Sequence, residues 1–404
     1  MLPLLLVATL LAAEPRDVLV LGTLHQRHRD HPTYGYDTVA RMIEAFDPGV
    51  LCVEIRPEDF RRDPYLQEMV LATIWGLAEG RTVVPMDWWQ AEPNAREERA
   101  AFEQTKDYAR LHRKEEVLYG KSGIVRDFIA TYGTDFHARA AEYGPDFWNG
   151  PAFNDYHREV YRISVEIYGD SAENLYWLTR NQRMLAHITA ALDAHPDARV
   201  LVLTGAEHKH AFDEALGGRA DVRLAALPVP AAATALPEPV ARFLETGDDE
   251  PYYDLSDPSV AFERDLARLV SLVHGPDMDM DPNLVPRENV PLARAVVDRL
   301  AAAHPEDFRV MFEQGWLAFL EDRQQEALTW FTTLEAATAN YRGERLWFLD
   351  TLPRDRGLCL DLLGRREEAL TAYQQGLAIL GAEHPFAAYL YNPLLAQPFQ
   401  WREP

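Results

Sequence analysis

Cysteine is nearly absent from this chain of 404 residues: Cys52 and Cys359 are the only two. Far apart in sequence, they support neither a disulfide framework nor a thiolate metal cluster, and each is expected to be a small buried hydrophobe. Positive charge is also scarce. With 40 Lys and Arg against 64 Asp and Glu, the formal charge is −24, which repels phosphate backbones and anionic membrane surfaces and argues against nucleic acid as a partner. Long apolar runs are missing, with one short exception. Residues 2–13 are apolar apart from Thr9 and precede Glu14-Pro15, too short for a membrane span, which needs about 20 such residues. They resemble a secretory signal peptide, although no basic residue precedes them. The expectation is loss of residues 1–13 and a periplasmic or secreted protein without a span in its mature chain, or a cytoplasmic one if the segment is kept.

What is present points to two folded parts. A hydrophobic content of 47% suits a globular protein, and 404 residues suffice for two or three domains, each with its own core. The chain is organised around residues 17–25, Asp-Val-Leu-Val-Leu-Gly-Thr-Leu-His. The apolar run 17–21 reads as a strand covered on both faces, ended by Gly22, with His25 just beyond its carboxyl end. The same arrangement recurs at 200–208, where an apolar strand runs into Gly205-Ala206-Glu207-His208. Between these, residues 36–46 carry Val39, Ile43 and Phe46 at helical spacing, 50–55 form a strand delivering Glu54, 64–79 a helix, and 82–86 a strand ending at Asp87. Residues 221–227 supply a closing strand. This alternation predicts an α/β fold with a largely parallel sheet, whose ligands collect at the carboxyl ends of the strands.

Residues 90–196 change character to long polar helices rich in aromatics, among them Phe128, Phe136, Trp148, Tyr161 and Trp177. They read as a helical insertion that walls a pocket or fills its own core. The helix over 176–192 carries Arg180, Asn181, Arg183 and His187. Beyond this α/β domain of residues 16–228, the Ala/Pro-rich stretch opens a linker over 229–256. Residues 257–395 then read as helices with an internal repeat: Arg323 to Phe331 aligns with Arg365 to Tyr373, and Gly315 with Gly357, all at an offset of 42 residues. Small residues such as Ala327 and Ala369, each followed four residues later by an aromatic, resemble tetratricopeptide repeats with an elongated loop near 340–353. Such arrays bind protein partners. Two patterns are discounted. Asp277, Asp279, Asp281 and Glu288 match a calcium-loop spacing, but Pro282 stands where the loop needs Gly. His28 and His31 follow His25 at metal-like spacing but lie in a polar loop, where exposure to solvent is an equal alternative to ligation.

Taken together, Gly22-Thr23-Leu24-His25, Gly205-Ala206-Glu207-His208, Glu54 and Arg180-Asn181 resemble the TraB/TIKI/erythromycin-esterase-type superfamily over residues 17–227. The resemblance implies two half-sheets with a helical insertion and a site at their shared edge. That superfamily includes metal-dependent peptidases, a macrolide lactone hydrolase and haem-associated proteins. By position, His25 and His208 match its motif histidines, Glu54 its strand-two acid and Arg180 its helical arginine. Glu207 and the repeat-bearing tail depart from the pattern.

The residues support the same chemistry on their own. Two neutral imidazoles and a carboxylate, here His25, His208 and Glu54, form a first shell for a divalent ion such as zinc, manganese or cobalt. Arg180 then stabilises an oxyanion, or pairs with Glu54 or Asp87, while Glu54 or Glu207 serves as general base. A metal-free variant uses either His as base toward an ester. The expectation is a metal-dependent hydrolase of a peptide or small-molecule ester. The alternatives are a metal- or haem-binding module, and an interaction protein whose α/β domain is a scaffold.

Overall fold

Five short apolar runs build one sheet: β1 (Arg16–Thr23), β2 (Val50–Val53), β3 (Thr82–Pro85), β4 (Val200–Gly205) and β5 (Val222–Leu224). They pair in parallel in the order β3-β2-β4-β1-β5. The computed structural model describes residues 14–63, 65–89, 99, 101–171, 176–229, 235–274, 281–341, 346–381 and 385–402. The signal segment expected at 1–13 and Asp277 and Asp279 of the calcium-like loop lie outside the described residues. The chain divides into two units, Met1–Asp254 and Leu255–Pro404.

Among the described residues of the first unit, the helices longer than one turn are α1 (Tyr36–Phe46), α2 (Gln67–Ala78), α3 (Lys106–Lys121), α4 (Gly123–Tyr132), α5 (Pro151–Tyr168), α6 (Trp177–Ala194), α7 (Lys209–Gly217) and α8 (Glu238–Thr246). Alternation along the strands sends Val18, Val20, Val50, Cys52, Val200 and Val202 onto Met184, Ile188 and Leu192 of α6 and Phe212 and Leu216 of α7. The intervening residues Leu19, Leu21, Leu51, Val53, Leu201 and Leu203 are equally buried. Leu51 and Val83 meet α2 at Gly76, where a Cβ would come within 2.5 Å of Val83. A sheet clad on both faces explains the unbroken apolar stretches of its central strands, Val18–Leu21, Val50–Val53 and Val200–Leu203. The steps β1→β2→β3 run one way across the sheet and β3→β4→β5 the other. Outgoing connections therefore leave β2 and β1 toward one face and the intervening β4 toward the opposite face, which opens a crevice at their carboxyl ends.

Two expectations need correction in this unit, and one open alternative is decided. β1 does not stop at Gly22 but pairs on through Thr23 opposite Gly205. Gly22 is required for close packing instead, because a Cβ there would lie 2.8 Å from the Cα of Ala206. The linker expected at 229–256 is folded over much of its length: α8 buries Val240 and Phe243, and Tyr252 receives the backbone N–H of Arg61 on its hydroxyl at 3.1 Å. Amphipathic spacing inside a Pro/Ala-rich stretch was enough to dock it on α2, with residues 230–234 outside the described set. His28 and His31 are buried, not open to solvent. His28 Nε2 accepts the Leu24 N–H at 2.8 Å, and His31 Nδ1 accepts that of Tyr34 at 2.9 Å, so both are fasteners of the loop after β1.

The second unit is helical: α9 (Pro258–His274), α10 (Asn289–Ala303), α11 (Phe308–Leu320), α12 (Gln324–Thr338), α13 (Leu352–Leu362), α14 (Arg366–Leu380) and α15 (Pro385–Ala396). The repeat is physical. A Cβ on Gly315 would sit 2.8 Å from the ring of Phe331, and one on Gly357 would sit 2.3 Å from that of Tyr373, so α11 packs on α12 as α13 packs on α14. Ala327 and Ala369 are fully buried at the matching positions. Among the described residues, no helix is long and apolar enough to cross a membrane.

Candidate active site

The residues just past β1, β2, β3 and β4 converge on one cleft of about 630 Å³. Its floor includes Thr23, His25, Glu54, Asp87, Arg180, Gly205, Glu207 and His208, and its walls include His137, Trp148, Phe153, Tyr161 and Trp177 from the insertion. The aromatic insertion is thus both a wall and a core, since Phe128 and Phe136 are buried within it while others face the cleft.

Glu54 is the centre. Its Oε2 accepts the Thr204 hydroxyl at 2.6 Å and the Gly205 N–H at 2.6 Å, and its Oε1 accepts from Arg180 Nη2 at 2.7 Å. Burial favours the neutral acid, but neighbouring His208, the Arg180 guanidinium and His25 outweigh it and hold the carboxyl well below its ordinary range. Arg180 also donates from Nε to Asp87 Oδ1 at 2.9 Å, and its guanidinium lies 4.2 Å from the centroid of the Trp89 ring. Pairing with both acids is the arrangement present. Asp87 accepts in addition from the Trp88 N–H and the Tyr65 hydroxyl, and burial together with Glu54 raises its pKa.

The two motif histidines have opposite characters. His25 takes φ = 54°, a left-handed conformation uncommon for a side-chain-bearing residue, and is one third exposed. Its Nδ1 bonds Glu68 Oε1 at 2.8 Å, and Glu68 is fully buried on α2. Burial disfavours the imidazolium, yet the Glu68 bond and the charges of Glu54 and Glu68 prevail, so the His25 pKa is raised. The ring fills the space above Gly205, whose Cβ, if present, would lie 2.8 Å from His25 Nε2. His208 is buried, bonds Asn181 Oδ1 through Nδ1 at 2.7 Å, and stacks on Trp177 with centroids 4.3 Å apart. Burial pushes its pKa down to about 3, against the pull of Glu54, so it is neutral near pH 7. Arg180 is therefore the standing positive charge beside Glu54.

As a metal shell, His25, His208 and Glu54 do not fit. The Glu54 oxygens already accept three hydrogen bonds, one from a guanidinium that repels a cation. Among the described residues, the group of three whose ligating atoms all lie within 4.8 Å of one another is His137, His157 and Glu207. Glu207 joins the cleft from the second motif, with its Oε2 accepting the Tyr161 hydroxyl. Burial pushes His157 down to about 4, and burial lowers His137 as well.

Sequence reasoning overlooked Glu68, His137 and His157. Glu68 had a signal, being the single charge on a helix otherwise almost wholly apolar. The two histidines had none, because their contacts join a turn, a helix and a strand end far apart in the chain. Comparison with protein-family profiles, with curated proteins and with solved structures finds no match to this chain.

Proposed function

We propose that the cleft hydrolyses a peptide or ester bond, with His25 as general base and then general acid. The observation that carries this reading is the His25–Glu68 pair: an imidazole at the mouth of the cleft, oriented through Nδ1 by a buried carboxylate, with its other nitrogen left for a reacting group. Glu54, held ionised by Arg180, is a poor proton acceptor, which takes it out of the base role considered for it. In the proposed reaction His25 removes a proton from water as the water oxygen bonds to the substrate carbonyl carbon. The scissile C–O or C–N bond then breaks, and the same proton passes to the leaving alkoxide or amine. Glu68 and Glu54 stabilise the transient imidazolium, Arg180 borders the cleft as the positive charge nearest the reaction, and the aromatic walls exclude water and hold an apolar substrate portion.

A divalent ion, as the family resemblance implies, would supply a polarised carbonyl or an activated water; no step here runs through one, because both Glu54 oxygens are taken by Arg180, Thr204 and the Gly205 N–H. The stacked helix pairs of the second unit suit recruitment of a protein partner.

The test is turnover of chromogenic esters and fluorogenic peptides by wild type and His25→Gln. General-base removal should lower kcat/KM by about 10²- to 10⁴-fold, and the wild-type rate should rise with pH through the His25 pKa. Unchanged turnover in His25→Gln would end the proposal.

A further inference from the structure

We propose that His137, His157 and Glu207 form a binding site for a zinc-class divalent ion on the insertion side of the cleft. The site goes beyond the hydrolytic reading, since ion binding stands whether or not the cleft turns over a substrate.

Three observations carry it. The first is convergence: one ligating atom from each residue lies within 4.8 Å of the other two. Ligand-to-ligand separations in a tetrahedral site are about 3 to 4 Å, given metal–ligand bonds near 2 Å, so small side-chain shifts close the shell. The second is His157. It is only 5% exposed on α5 and, among the described residues, neither ring nitrogen has a hydrogen-bond partner, while Phe153 and Tyr156 pack against it with ring centroids 4.2 and 5.0 Å away. A buried polar side chain left unpaired costs about 1–3 kcal/mol. A purely structural aromatic would fill that place without the cost, and an ion bound to one nitrogen relieves part of it.

The third observation is the support around the other two ligands. Tyr161 donates its hydroxyl to Glu207 Oε2 and stacks on Trp177 at 3.4 Å, which fixes the carboxylate and leaves Oε1 directed to His137 Nε2, 3.9 Å away. Metal-bound carboxylates are commonly steadied by such a second hydrogen bond. Arg27 is exposed and reaches only Nδ1 of His137, at 3.4 Å, so it leaves Nε2 available. Two imidazoles and one carboxylate are also the chemistry of three-ligand zinc sites that keep a fourth position open. Because His137 and Glu207 line the cleft, that position faces the space occupied by a substrate.

The experiment is titration of the chelator-stripped full chain with Co²⁺ and Zn²⁺, read by visible absorption of Co²⁺ and by calorimetry. One ion per chain is expected, with the absorption of a four- or five-coordinate Co²⁺. Loss of a residue that merely orients a ligand weakens metal sites by about 10- to 100-fold. His157→Ala and Glu207→Gln, which delete ligands, should weaken binding by roughly 100-fold or more, while His25→Ala binds as wild type. Should His157→Ala fail to fold, His137→Gln, at a partly exposed position, decides the matter by the same weakening. Absence of binding overturns the proposal. So does binding that survives His157→Ala or His137→Gln but is lost in His25→Ala. Ester turnover by the metal-stripped chain tests the hydrolytic reading separately.

Discussion

Replacing Glu54 by Gln keeps the shape of the side chain at the centre of the sheet edge and removes its charge. The amide oxygen can still accept from Thr204 and the Gly205 N–H, which now bond Glu54 Oε2. The amide nitrogen then occupies the place of Oε1, 2.7 Å from Arg180 Nη2, donor against donor. Arg180 keeps Asp87 at 2.9 Å, so the guanidinium is not fully stranded. Breaking a buried pair by removing one partner costs about 3–5 kcal/mol, and the retained acid places Glu54→Gln at the lower end, about 3 kcal/mol. At about 1.4 kcal/mol per decade this is roughly a 100-fold rise in global opening. Hydrogen exchange of the buried β4 amides over Val200–Gly205 reads that opening directly. The dependence on pH carries a second signature. Because the folded pKa of Glu54 is depressed, its contribution is present above the ordinary carboxylate range and is lost as pH falls through the folded value. Wild type should therefore lose stability in acid more steeply than Glu54→Gln. A change below tenfold in exchange, or an unaltered acid limb, would refute an ionised Glu54 paired with Arg180.

Glu68→Gln should lower the His25 pKa, followed by NMR titration of the ring. Since the folded pKa of His25 is raised above 6.5, the stability from this pair is complete below that value and fades as pH rises through the folded one, a trend the variant should flatten. In the second unit, Asp355 is fully buried on α13, contacts Arg354 Nη1 at 3.2 Å with Oδ1, and has no hydrogen-bond partner for Oδ2 among the described residues. Burial raises its pKa from 3.8 to about 6, which makes the folded unit most stable when this acid is protonated. Stability should fall as pH rises between those values, by up to about 3 kcal/mol across the interval, and Asp355→Asn should abolish that part of the slope. Urea midpoints at either end of the window measure it, and equal slopes in both proteins would contradict the assignment.

The periodicities of the chain were enough to set its elements and their layers. Unbroken apolar runs of four to eight residues, separated by helical patterns, require a sheet covered on both faces, and the parallel five-stranded sheet obeys that requirement. The 42-residue recurrence of Gly315 and Gly357, each facing an aromatic of the next helix, was equally legible because repeats imprint packing on spacing. The strand-end positions of His25, Glu54 and His208 could be read for the same reason. Tertiary contact decided what those side chains do. Arg180 reaches Glu54 across 126 positions and Glu68 reaches His25 across 43, so their charge states are set by partners that no local spacing announces. For His28 and His31 the spacing left ligation and exposure equally open, and burial with backbone hydrogen bonds made them fasteners instead. His137, His157 and Glu207 are brought together by an insertion folding against a sheet edge. Side-chain chemistry at a site depends on distance and desolvation, and both are properties of the packed chain.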